Sequence, residues 1–482
     1  MIAEHKHLVE QGAKLVELRL DYINGAVKVR RLLADRPGPV VISCRRRQDG
    51  GTYSGTEDDR LVLLRTAIAE GADYVDLEED IAAWVPRFGV TKRIVSFHDF
   101  HKTPEDVEAM HSRLCTLDPD IVKVCTMANH PSDNVRILRL VRESKVPTIG
   151  FCMGDIGTPT RILCGKFGSP WSYATFHEER ALAPGQLSYQ QMTEVYHYDD
   201  INADTEVYGV IADPVGHSLS PLIHNAAFRK LGLNKVYVPL RVAREHLAAF
   251  IDEAPELGIR GLSVTIPHKE AVVELLHLGD NAVRGIGAAN TVVFQGGRRC
   301  GYNTDYAAAM GSLEEAVAGH FRDDVGLKNK TALVMGAGGV GRAISFGLVE
   351  RGVQVVVCDG EAERASRLAA AVGCRVVDWA ARHGVYADIA VNCTPIGMHP
   401  NVDETPYAKH HLRPAMIVFD AVYNPENTLF IKEARSRNCK VVTGVDMFVR
   451  QAAMQFKLFT GQDAPADLMR EVMKRAISAA KQ

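Results

Sequence analysis

The sequence lacks the features that mark membrane, secreted and nucleic-acid-binding proteins. No stretch approaches the roughly 18 consecutive apolar residues that a membrane-spanning helix needs, and residues 1–7 contain no apolar signal core. Lys and Arg number 56 against 59 Asp and Glu, and a formal net charge of −3 gives no reason to expect nucleic acid as a partner. We therefore expect a cytoplasmic protein without membrane or nucleic-acid partners.

Paired cysteine motifs are also missing. The ten cysteines are scattered without a Cys-x-x-Cys pair, and several of them, such as Cys44, Cys125 and Cys358, lie within or at the end of apolar strand-like runs. This pattern favours buried free thiols in a reducing cytosol over disulfides or a metal site. We expect no bound metal.

The chain has the length and composition of a soluble protein with several domains. Its 482 residues are too many for one ordinary core, and roughly two to four domains are expected. Hydrophobic residues make up 46% and charged residues 24% of the sequence, as is typical of globular proteins.

Short β-branched runs recur through the first half and are separated by helix-compatible segments such as 59–70 and 132–143. This alternation predicts βα units around a parallel sheet and fits an α/β fold of the (β/α)₈ TIM-barrel type with one strand missing. The chain opens on a helical pattern at 4–13, so the first strand either lies upstream of Met1 or is absent. The seven predicted strands are 16–21, 40–44, 74–78, 93–97, 121–125, 148–152 and 174–176.

The second half begins after a polar, acidic stretch that we interpret as a linker. A strand at 331–335 leads into Gly-Ala-Gly-Gly-Val-Gly at 336–341, a helix, and a second strand that ends at Asp359. A glycine turn between a strand and a helix, with an acidic residue at the end of the next strand, predicts a Rossmann dinucleotide-binding unit. The predicted domains are a barrel at 1–192, a linker at 193–205, an α/β substrate-binding domain at 206–325, a Rossmann NAD(P)-binding domain at 326–445 and C-terminal helices at 446–482 that return to the substrate domain.

Lys123 is the first candidate catalytic residue, because it lies inside the apolar run 121–125. A barrel strand would bury it, and burial lowers the pKa of an amine and so suits imine chemistry. His98 ends the preceding strand-like run, one βα unit earlier, at the rim where barrel enzymes carry their catalytic groups. We interpret His98 as a general base.

Five segments of the first half, considered together, resemble type I 3-dehydroquinate dehydratase over nearly all of residues 1–192. They are Glu-Leu-Arg-Leu-Asp at 17–21, Ser-Phe-His-Asp-Phe at 96–100, Ile-Val-Lys at 121–123, Met-Gly at 153–154 with Thr-Arg at 160–161, and Ala-Pro-Gly-Gln at 183–186. The resemblance implies that Lys123 forms a Schiff base with the substrate ketone and that His98 removes the adjacent proton and helps the hydroxyl to leave as water. It also implies that Arg161 binds the substrate carboxylate, which suits the fork geometry of a guanidinium, and that Glu17, Arg19, Arg45 and Gln186 hold the hydroxyls.

Three departures from this family's pattern concern the first half. Asp49 replaces the glutamate that orients the histidine, Leu182 replaces a serine of the lid, and the first barrel strand is not found. Lys123 and His98 are both present, so the departures put the efficiency of the dehydratase in question more than its reaction. If one half is impaired, we expect it to be the half that carries Lys123.

An ordered set of loop motifs in the second half resembles shikimate dehydrogenase over residues 206–482. The motifs occupy 216–221, 263–269, 287–291, 301–305, 392–398 and 420–423, followed by Gly444 and Gln451. The resemblance implies that Lys269 and Asp305 form a coupled pair that delivers a proton to the ketone as hydride arrives. It implies that the substrate is held by Ser218, Ser220, Thr265, Asn290, Tyr423 and Gln451.

The dehydrogenase half is expected to use NAD(P), and the residues of the second Rossmann strand favour NAD over NADP. Asp359 can accept from a free ribose hydroxyl, and both Asp359 and Glu361 would repel a 2′-phosphate. Arg342 and Arg364 remain as alternative phosphate partners. The expected cofactor-binding residues are Gly336, Gly338, Gly339, Gly341, Asp359, Thr394, Met398 and Gly444.

Two chemistries on one chain predict a bifunctional shikimate-pathway enzyme that dehydrates 3-dehydroquinate and then reduces 3-dehydroshikimate to shikimate. One alternative is an NAD-linked catabolic quinate or shikimate dehydrogenase fused to the same dehydratase; the two serines Ser218 and Ser220 argue for shikimate over quinate. A second alternative is a quinate-sensing regulator built on the same scaffold. The sequence leaves the oligomeric state open.

Overall fold

The computed structural model describes residues 1–176, 185–216, 218–321 and 326–479. The chain divides into two compact units, residues 1–205 and 206–482. Among the described residues, no helix is both long and apolar enough to cross a membrane.

The first unit is a parallel sheet of six strands in sequential order. They are β1 (Val16–Arg19), β2 (Val40–Ser43), β3 (Tyr74–Glu78), β4 (Lys92–Asp99), β5 (Ile121–Met127) and β6 (Thr148–Met153). The helices are α1 (Ile2–Glu10), α2 (Val29–Ala34), α3 (Glu57–Ala69), α4 (Glu79–Ala82), α5 (Val107–Cys115), α6 (Pro131–Glu143) and α7 (Thr158–Leu163). This is a half-barrel of βα units, and no pairing joins β6 to β1 within the described residues.

The seventh predicted run, 174–176, is not a strand of this sheet. Thr175 makes an isolated parallel bridge with Ser188 instead. The other six predicted runs form the strands of this sheet. Nearly every residue of β2, β5 and β6 is buried, as expected where both faces of a parallel sheet are covered, whereas β1 alternates buried and half-buried residues. In β5 every residue from Ile121 to Thr126 is buried, which places Lys123 in the interior.

The second unit begins with a mixed sheet of order β10-β12-β11-β9-β7-β8. Its strands are β7 (Glu206–Ala212), β8 (Lys235–Arg241), β9 (Ile259–Val264), β10 (Leu278–Gly279), β11 (Thr291–Gln295) and β12 (Arg298–Tyr302), and β11 runs antiparallel to β9 and β12. The helices here are α8 (Ser220–Lys230), α9 (Leu247–Glu253), α10 (Asn281–Ile286) and α11 (Thr304–Val317).

A second sheet follows, parallel throughout, with the order β15-β14-β13-β16-β17-β18 of a doubly wound Rossmann fold. It consists of β13 (Thr331–Met335), β14 (Gln354–Cys358), β15 (Arg375–Val376), β16 (Ile389–Asn392), β17 (Ile417–Asp420) and β18 (Lys440–Val442). The helices α12 (Gly339–Glu350), α13 (Ala362–Val372) and α14 (Leu429–Ser436) accompany it.

The last two helices, α15 (Gly444–Thr460) and α16 (Ala466–Ala479), pack back onto the first sheet of this unit. Phe456 of α15 and Met469 of α16 share a buried cluster with Tyr208 of β7 and Phe228 of α8. This packing brings α15, with Gln451, beside the loops that follow β9 and β12.

Candidate active sites

Lys123 lies in the middle of β5 and is 3% exposed. Its Nζ donates to Asp76 Oδ2 at 3.0 Å and lies 4.0 Å above the centre of the Tyr173 ring. Burial by itself lowers the pKa of Lys123, but the Asp76 carboxylate outweighs it and the net pKa lies above its ordinary value. The expectation that burial favours an uncharged Lys123 is therefore wrong in this structure, because a buried carboxylate stabilises the ammonium form.

Asp76, on β3, is the common acceptor of this site. Arg45 Nη2 donates to its Oδ2 at 2.5 Å, and Ser96 Oγ donates to its Oδ1 at 2.5 Å. Burial by itself raises the pKa of Asp76, but the positive charges of Arg45 and Lys123 bring it below its ordinary value. The sequence analysis did not identify Asp76 as a site residue. The pattern that identified Lys123, a charged residue inside an apolar strand-like run, also applies to Asp76.

His98 lies near the C-terminal end of β4, opposite Cys125 of β5. Arg45 Nη1 is 2.9 Å from its Nδ1 and 2.7 Å from its Nε2. Burial, together with the charges of Arg45 and Lys123, holds the pKa of His98 well below its ordinary value. A neutral imidazole is the form that a general base requires.

Asp49, which replaces the histidine-orienting glutamate of the family, makes no hydrogen bond to His98 within the described residues. Asp49 Oδ2 accepts from Arg46 Nε at 2.6 Å, and Arg46 also donates to Asp80. Among the described residues, the hydrogen-bond partner of His98 is Arg45. The short aspartate side chain is held by its neighbouring guanidinium.

Arg161, on α7, is 1% exposed, and its Nε and Nη2 have no hydrogen-bond partner among the described residues. Its guanidinium lies 4.4 Å from the centre of the Phe151 ring on β6. Buried donors of this kind are costly when they are left unpaired. The two nitrogens are therefore suited to a bound carboxylate.

The other predicted dehydratase residues have partners within the protein. Arg19 makes a bidentate pair with buried Asp21, at 2.9 and 2.7 Å. Glu17 accepts from Ser43 Oγ at 2.6 Å. Gln186 is half-buried, and Leu182 lies outside the described residues.

Lys269 and Asp305 are brought together as predicted from their sequence motifs. Lys269 Nζ donates to Asp305 Oδ2 at 2.6 Å, across 36 residues of sequence. Asp305 is in the first turn of α11, whose N-cap Asn303 accepts from the Tyr306 backbone N–H. The Ala289 N–H donates to the Lys269 carbonyl at 2.8 Å, which ties the lysine to the loop before β11.

Two of the predicted shikimate-binding residues, Asn290 and Gln451, meet at Thr304 beside this pair. Asn290 Nδ2 donates to Thr304 Oγ1 at 2.9 Å, and Thr304 Oγ1 lies 3.5 Å from Gln451 Oε1. Both side chains are buried. The site thus has an ion pair with two amides next to it.

The remaining predicted residues lie on the surrounding loops and helix ends. Ser218 Oγ accepts from the Ser220 backbone N–H at 3.3 Å at the start of α8. Thr265 follows β9, and its N–H donates to the Ile211 carbonyl. Tyr423 follows β17 and its ring lies 4.7 Å from that of Phe448 on α15.

The glycine turn after β13 has the geometry of a pyrophosphate cradle. Gly336 has φ of +104°, and a Cβ on Gly341 would lie 1.9 Å from the Gly336 carbonyl oxygen. A Cβ on Gly339 would lie 3.1 Å from Cδ of Lys269, so this loop also borders the proposed proton donor. Backbone without side chains at the start of α12 allows a dinucleotide to approach closely, and these residues fit NAD(P).

The acidic residue of the second Rossmann strand is held firmly beside this turn. Asp359 Oδ2 accepts from the Ala337 N–H at 2.7 Å, and Oδ1 accepts from the Glu361 N–H at 2.9 Å. Gly338 directly follows Ala337 at the beginning of α12.

Three further residues were predicted to bind the cofactor. Thr394 donates to Asn392 Oδ1 at 2.7 Å in the loop after β16, and Met398 is largely exposed in the same loop. Gly444 begins α15, where a Cβ would lie 2.2 Å from the Val422 carbonyl oxygen. All three lie on loops at the carboxyl ends of parallel strands, where dinucleotides bind in such sheets.

The fold and these sites define an enzyme that combines a dehydroquinase-type half-barrel with a shikimate dehydrogenase-type unit, and comparison with known families agrees. The family model of type I 3-dehydroquinase matches residues 1–203. The models of the shikimate dehydrogenase substrate binding domain and of the shikimate 5′-dehydrogenase C-terminal domain match residues 210–292 and 444–474.

A relative that combines the same two enzymes in one chain shows which family this protein belongs to. The chloroplastic bifunctional 3-dehydroquinate dehydratase/shikimate dehydrogenase of Arabidopsis thaliana is 36% identical, over 98% of this chain and 82% of the plant protein. The chain belongs to the bifunctional 3-dehydroquinate dehydratase/shikimate dehydrogenase family. It is thus a lyase and an oxidoreductase of the shikimate pathway. Its dehydratase half is of the TIM-barrel class and forms a six-stranded half-barrel in the described residues, and its dehydrogenase half is of the Rossmann type.

Solved structures resemble the dehydrogenase half. A shikimate dehydrogenase in complex with NADP⁺ is 37% identical, with a TM-score of 0.53 over 57% of this chain and 97% of that one. A quinate dehydrogenase from Corynebacterium glutamicum in complex with NAD is 33% identical, with a TM-score of 0.50 over 56% of this chain and 98% of that one. The likeness thus extends to relatives bound to either dinucleotide.

Proposed function

We propose that Lys123 and His98 carry out the dehydration, that Lys269 and Asp305 carry out the proton transfer of the reduction, and that NAD is preferred over NADP. The observation that carries the first assignment is the buried contact of Lys123 with Asp76 beside a neutral His98. For the second assignment it is the contact of Lys269 with Asp305.

The dehydration begins with Lys123 as an ammonium ion, since Asp76 raises its pKa. The ammonium has to pass this proton to the Asp76 carboxylate, 3.0 Å away, before its nitrogen attacks the ketone carbon of 3-dehydroquinate. Loss of water from that adduct leaves an iminium ion, which acidifies the neighbouring carbon. Neutral His98 takes the proton from that carbon, the hydroxyl leaves as water with the proton returned by His98, and hydrolysis of the iminium frees Lys123.

Arg161 and Arg45 have different parts in this scheme. Arg161 offers two unpaired buried nitrogens, which fit the planar carboxylate of the substrate. Arg45 lies against both His98 and Asp76, and its fixed charge opposes protonation of the imidazole. The base therefore stays neutral while the nearby carboxylate stays ionised.

The assignment of Lys123 is tested by a single variant assayed on two substrates. Lys123→Ala should show no turnover of 3-dehydroquinate in the presence of NADH, because no Schiff base can form. The same preparation should reduce added 3-dehydroshikimate at the wild-type rate, which serves as its control. Turnover of 3-dehydroquinate by the variant would refute the role of Lys123.

In the second unit, Lys269 gives a proton to the ketone oxygen of 3-dehydroshikimate. A nicotinamide cofactor held by the glycine turn at 336–341 would supply the hydride. Asp305 holds the ammonium at 2.6 Å and keeps one proton of Lys269 directed along their contact. Asn290 and Gln451 lie next to this pair and are suited to the ring hydroxyls.

The preference for NAD rests on the carboxylate of Asp359 and on two arginines that each have a glutamate as ion-pair partner. Asp359 is fixed by two backbone N–H groups at the end of β14, where the adenosine ribose is expected. Arg364 pairs with Glu361 at 3.7 Å, and Arg342 pairs with Glu270 at 3.5 Å. A 2′-phosphate would meet the Asp359 charge, and Glu361 and Glu270 partly offset the charges of the two candidate cations, so NADP is disfavoured.

Steady-state kinetics with the two reduced cofactors test this preference. We expect kcat/KM with NADH to exceed kcat/KM with NADPH. The Asp359→Ser variant should narrow this difference by raising kcat/KM with NADPH. Equal efficiencies, or a higher value for NADPH, would refute the proposal. The dehydratase activity of the variant is the matched control.

A catabolic direction is the second candidate, and the position of Asp359 favours it. The quinate dehydrogenase from C. glutamicum that resembles this half is described in complex with NAD. Comparing the rates of quinate and shikimate oxidation with NAD⁺ separates the two candidates. Faster oxidation of quinate would favour the catabolic one.

A further inference from the structure

A continuous chain of buried side-chain hydrogen bonds lies under the proposed shikimate site. Tyr237 Oη donates to Ser263 Oγ at 2.6 Å, and Ser263 Oγ donates to Gln455 Oε1 at 2.8 Å. Gln455 Nε2 donates to Thr291 Oγ1 at 2.9 Å, and Thr291 Oγ1 donates to Asn290 Oδ1 at 3.0 Å. Four different elements, β8, β9, α15 and β11, are joined in this way.

The chain continues from Asn290 to the site itself. Asn290 Nδ2 donates to Thr304 Oγ1 at 2.9 Å, and Thr304 Oγ1 reaches Gln451 Oε1 at 3.5 Å. Every member is buried, and the most exposed of them, Gln451, is 7% exposed. Tyr237, at the far end, stacks on buried His224 with a centroid distance of 4.4 Å.

Two backbone groups fix the direction of the bonds between Tyr237 and Thr304. The Asn290 carbonyl oxygen can only accept, and it takes Gln455 Nε2 at 3.0 Å, so Gln455 Oε1 has to face Ser263. The Thr304 N–H can only donate, and it gives to Asn290 Oδ1 at 2.7 Å. The Asn290 amide nitrogen therefore has to face Thr304 Oγ1.

This direction determines what the Asn290 amide can offer to a ligand. Its Oδ1 already accepts from the Thr291 hydroxyl and from the Thr304 N–H. Its Nδ2 carries two hydrogens, of which one goes to Thr304 Oγ1. The second N–H of Asn290 is therefore the group that remains for the substrate.

We propose that Ser263 and Gln455 are positioning residues of the dehydrogenase, which hold the Asn290 main chain and the Thr291 hydroxyl so that the Asn290 amide presents an N–H donor to a shikimate ring oxygen. The inference rests on the proposed substrate contacts of Asn290 and Gln451. Neither Ser263 nor Gln455 needs to touch the substrate, since each acts through Asn290. Removing either one loosens the Asn290–Thr291 segment, so that the Asn290 donor no longer lies at the ring oxygen.

The first test replaces Gln455 with methionine, which keeps the length of the side chain and removes the amide. KM for shikimate should rise about ten-fold, the equivalent of about one hydrogen bond to the ligand, while KM for the nicotinamide cofactor changes by less than about two-fold. The dehydratase rate of the same preparation should be unchanged. A variant that alters both KM values equally, or neither, would overturn the proposal.

A pair of serine variants isolates one hydroxyl and keeps the test decisive if Gln455→Met does not fold. Ser263→Ala removes the donor to Gln455, and Ser263→Thr retains it in nearly the same place. The alanine variant should show the rise in KM for shikimate and the threonine variant should restore most of the wild-type value. Equal KM values in the two variants would count against the proposal.

A double-mutant cycle separates action through Asn290 from general damage. In an Asn290→Ala, Gln451→Ala background, adding Gln455→Met should change KM for shikimate by less than about two-fold, because the Asn290 amide is gone. Additive losses would refute the positioning role. If the Asn290→Ala, Gln451→Ala background itself binds shikimate normally, the proposed substrate contacts fail instead, and the two failures are thereby distinguished.

Discussion

Replacing His224 with phenylalanine should make the dehydrogenase unit less sensitive to acid. His224, on α8, is completely buried and stacked on Tyr237 within 4° of parallel. In the part of the chain that the structure describes, neither of its ring nitrogens has a hydrogen-bond partner. Phe228, Phe456 and Phe459 surround it. Phenylalanine retains the ring and its stacking but cannot take up a proton.

The size of the effect follows from the pKa of His224, which burial lowers from 6.5 to about 3. The unfolded chain binds a proton at this histidine below about pH 6.5, and the folded chain does so only below about pH 3, so stability falls as the pH falls through this range. Between pH 7.5 and pH 5 this linkage corresponds to a loss of about 2 kcal/mol in the free energy of unfolding. The His224→Phe variant should lack this loss.

Hydrogen exchange followed by mass spectrometry in increasing urea measures this quantity for the dehydrogenase unit alone, through peptides of α8 and α15. Wild type and variant are compared at pH 7.5 and pH 5, with exchange times corrected for the intrinsic pH dependence. Other titrating groups contribute nearly equally to both proteins, so the difference between the two pH responses isolates His224. Identical responses, within about 0.5 kcal/mol, would refute the reasoning.

Three other variants have defined outcomes. Asp76→Asn should lower the melting temperature of the first unit in calorimetry, because breaking a buried ion pair costs about 3–5 kcal/mol, and it should reduce dehydratase kcat; a normal kcat would exclude Asp76 from supporting Lys123. Arg161→Lys should raise KM for 3-dehydroquinate about ten-fold or more with a smaller change in kcat, because an ammonium cannot make the bidentate contact; an unchanged KM would contradict the carboxylate assignment. Gly341→Ala should raise KM for the nicotinamide cofactor, since its Cβ would lie 1.9 Å from the Gly336 carbonyl oxygen; the dehydratase rate is the control, and an unchanged KM would argue against this cradle.

The strands of the first unit could be predicted from the sequence where an apolar run extended over five residues or more. The run Ala-Thr-Phe at 174–176 has only three residues, and in the structure it supplies a single bridge at Thr175. The glycine turn at 336–341 could be predicted because it depends only on neighbouring residues. A strand, a glycine with positive φ and the start of a helix follow one another directly along the chain. Which strand neighbours which in the mixed sheet, where β9 separates β7 from β11, depends on tertiary packing.

The sequence by itself determined which groups are available for chemistry: an amine within an apolar strand at Lys123, and an amine and a carboxylate 36 residues apart at Lys269 and Asp305. Only the tertiary structure decided the state of those groups. Burial alone would have lowered the pKa of Lys123, and it is Asp76, 47 residues away, that reverses the direction. The physical reason is that pKa values and amide orientations depend on charges and backbone groups within a few ångströms, and distance along the chain does not specify which groups those will be.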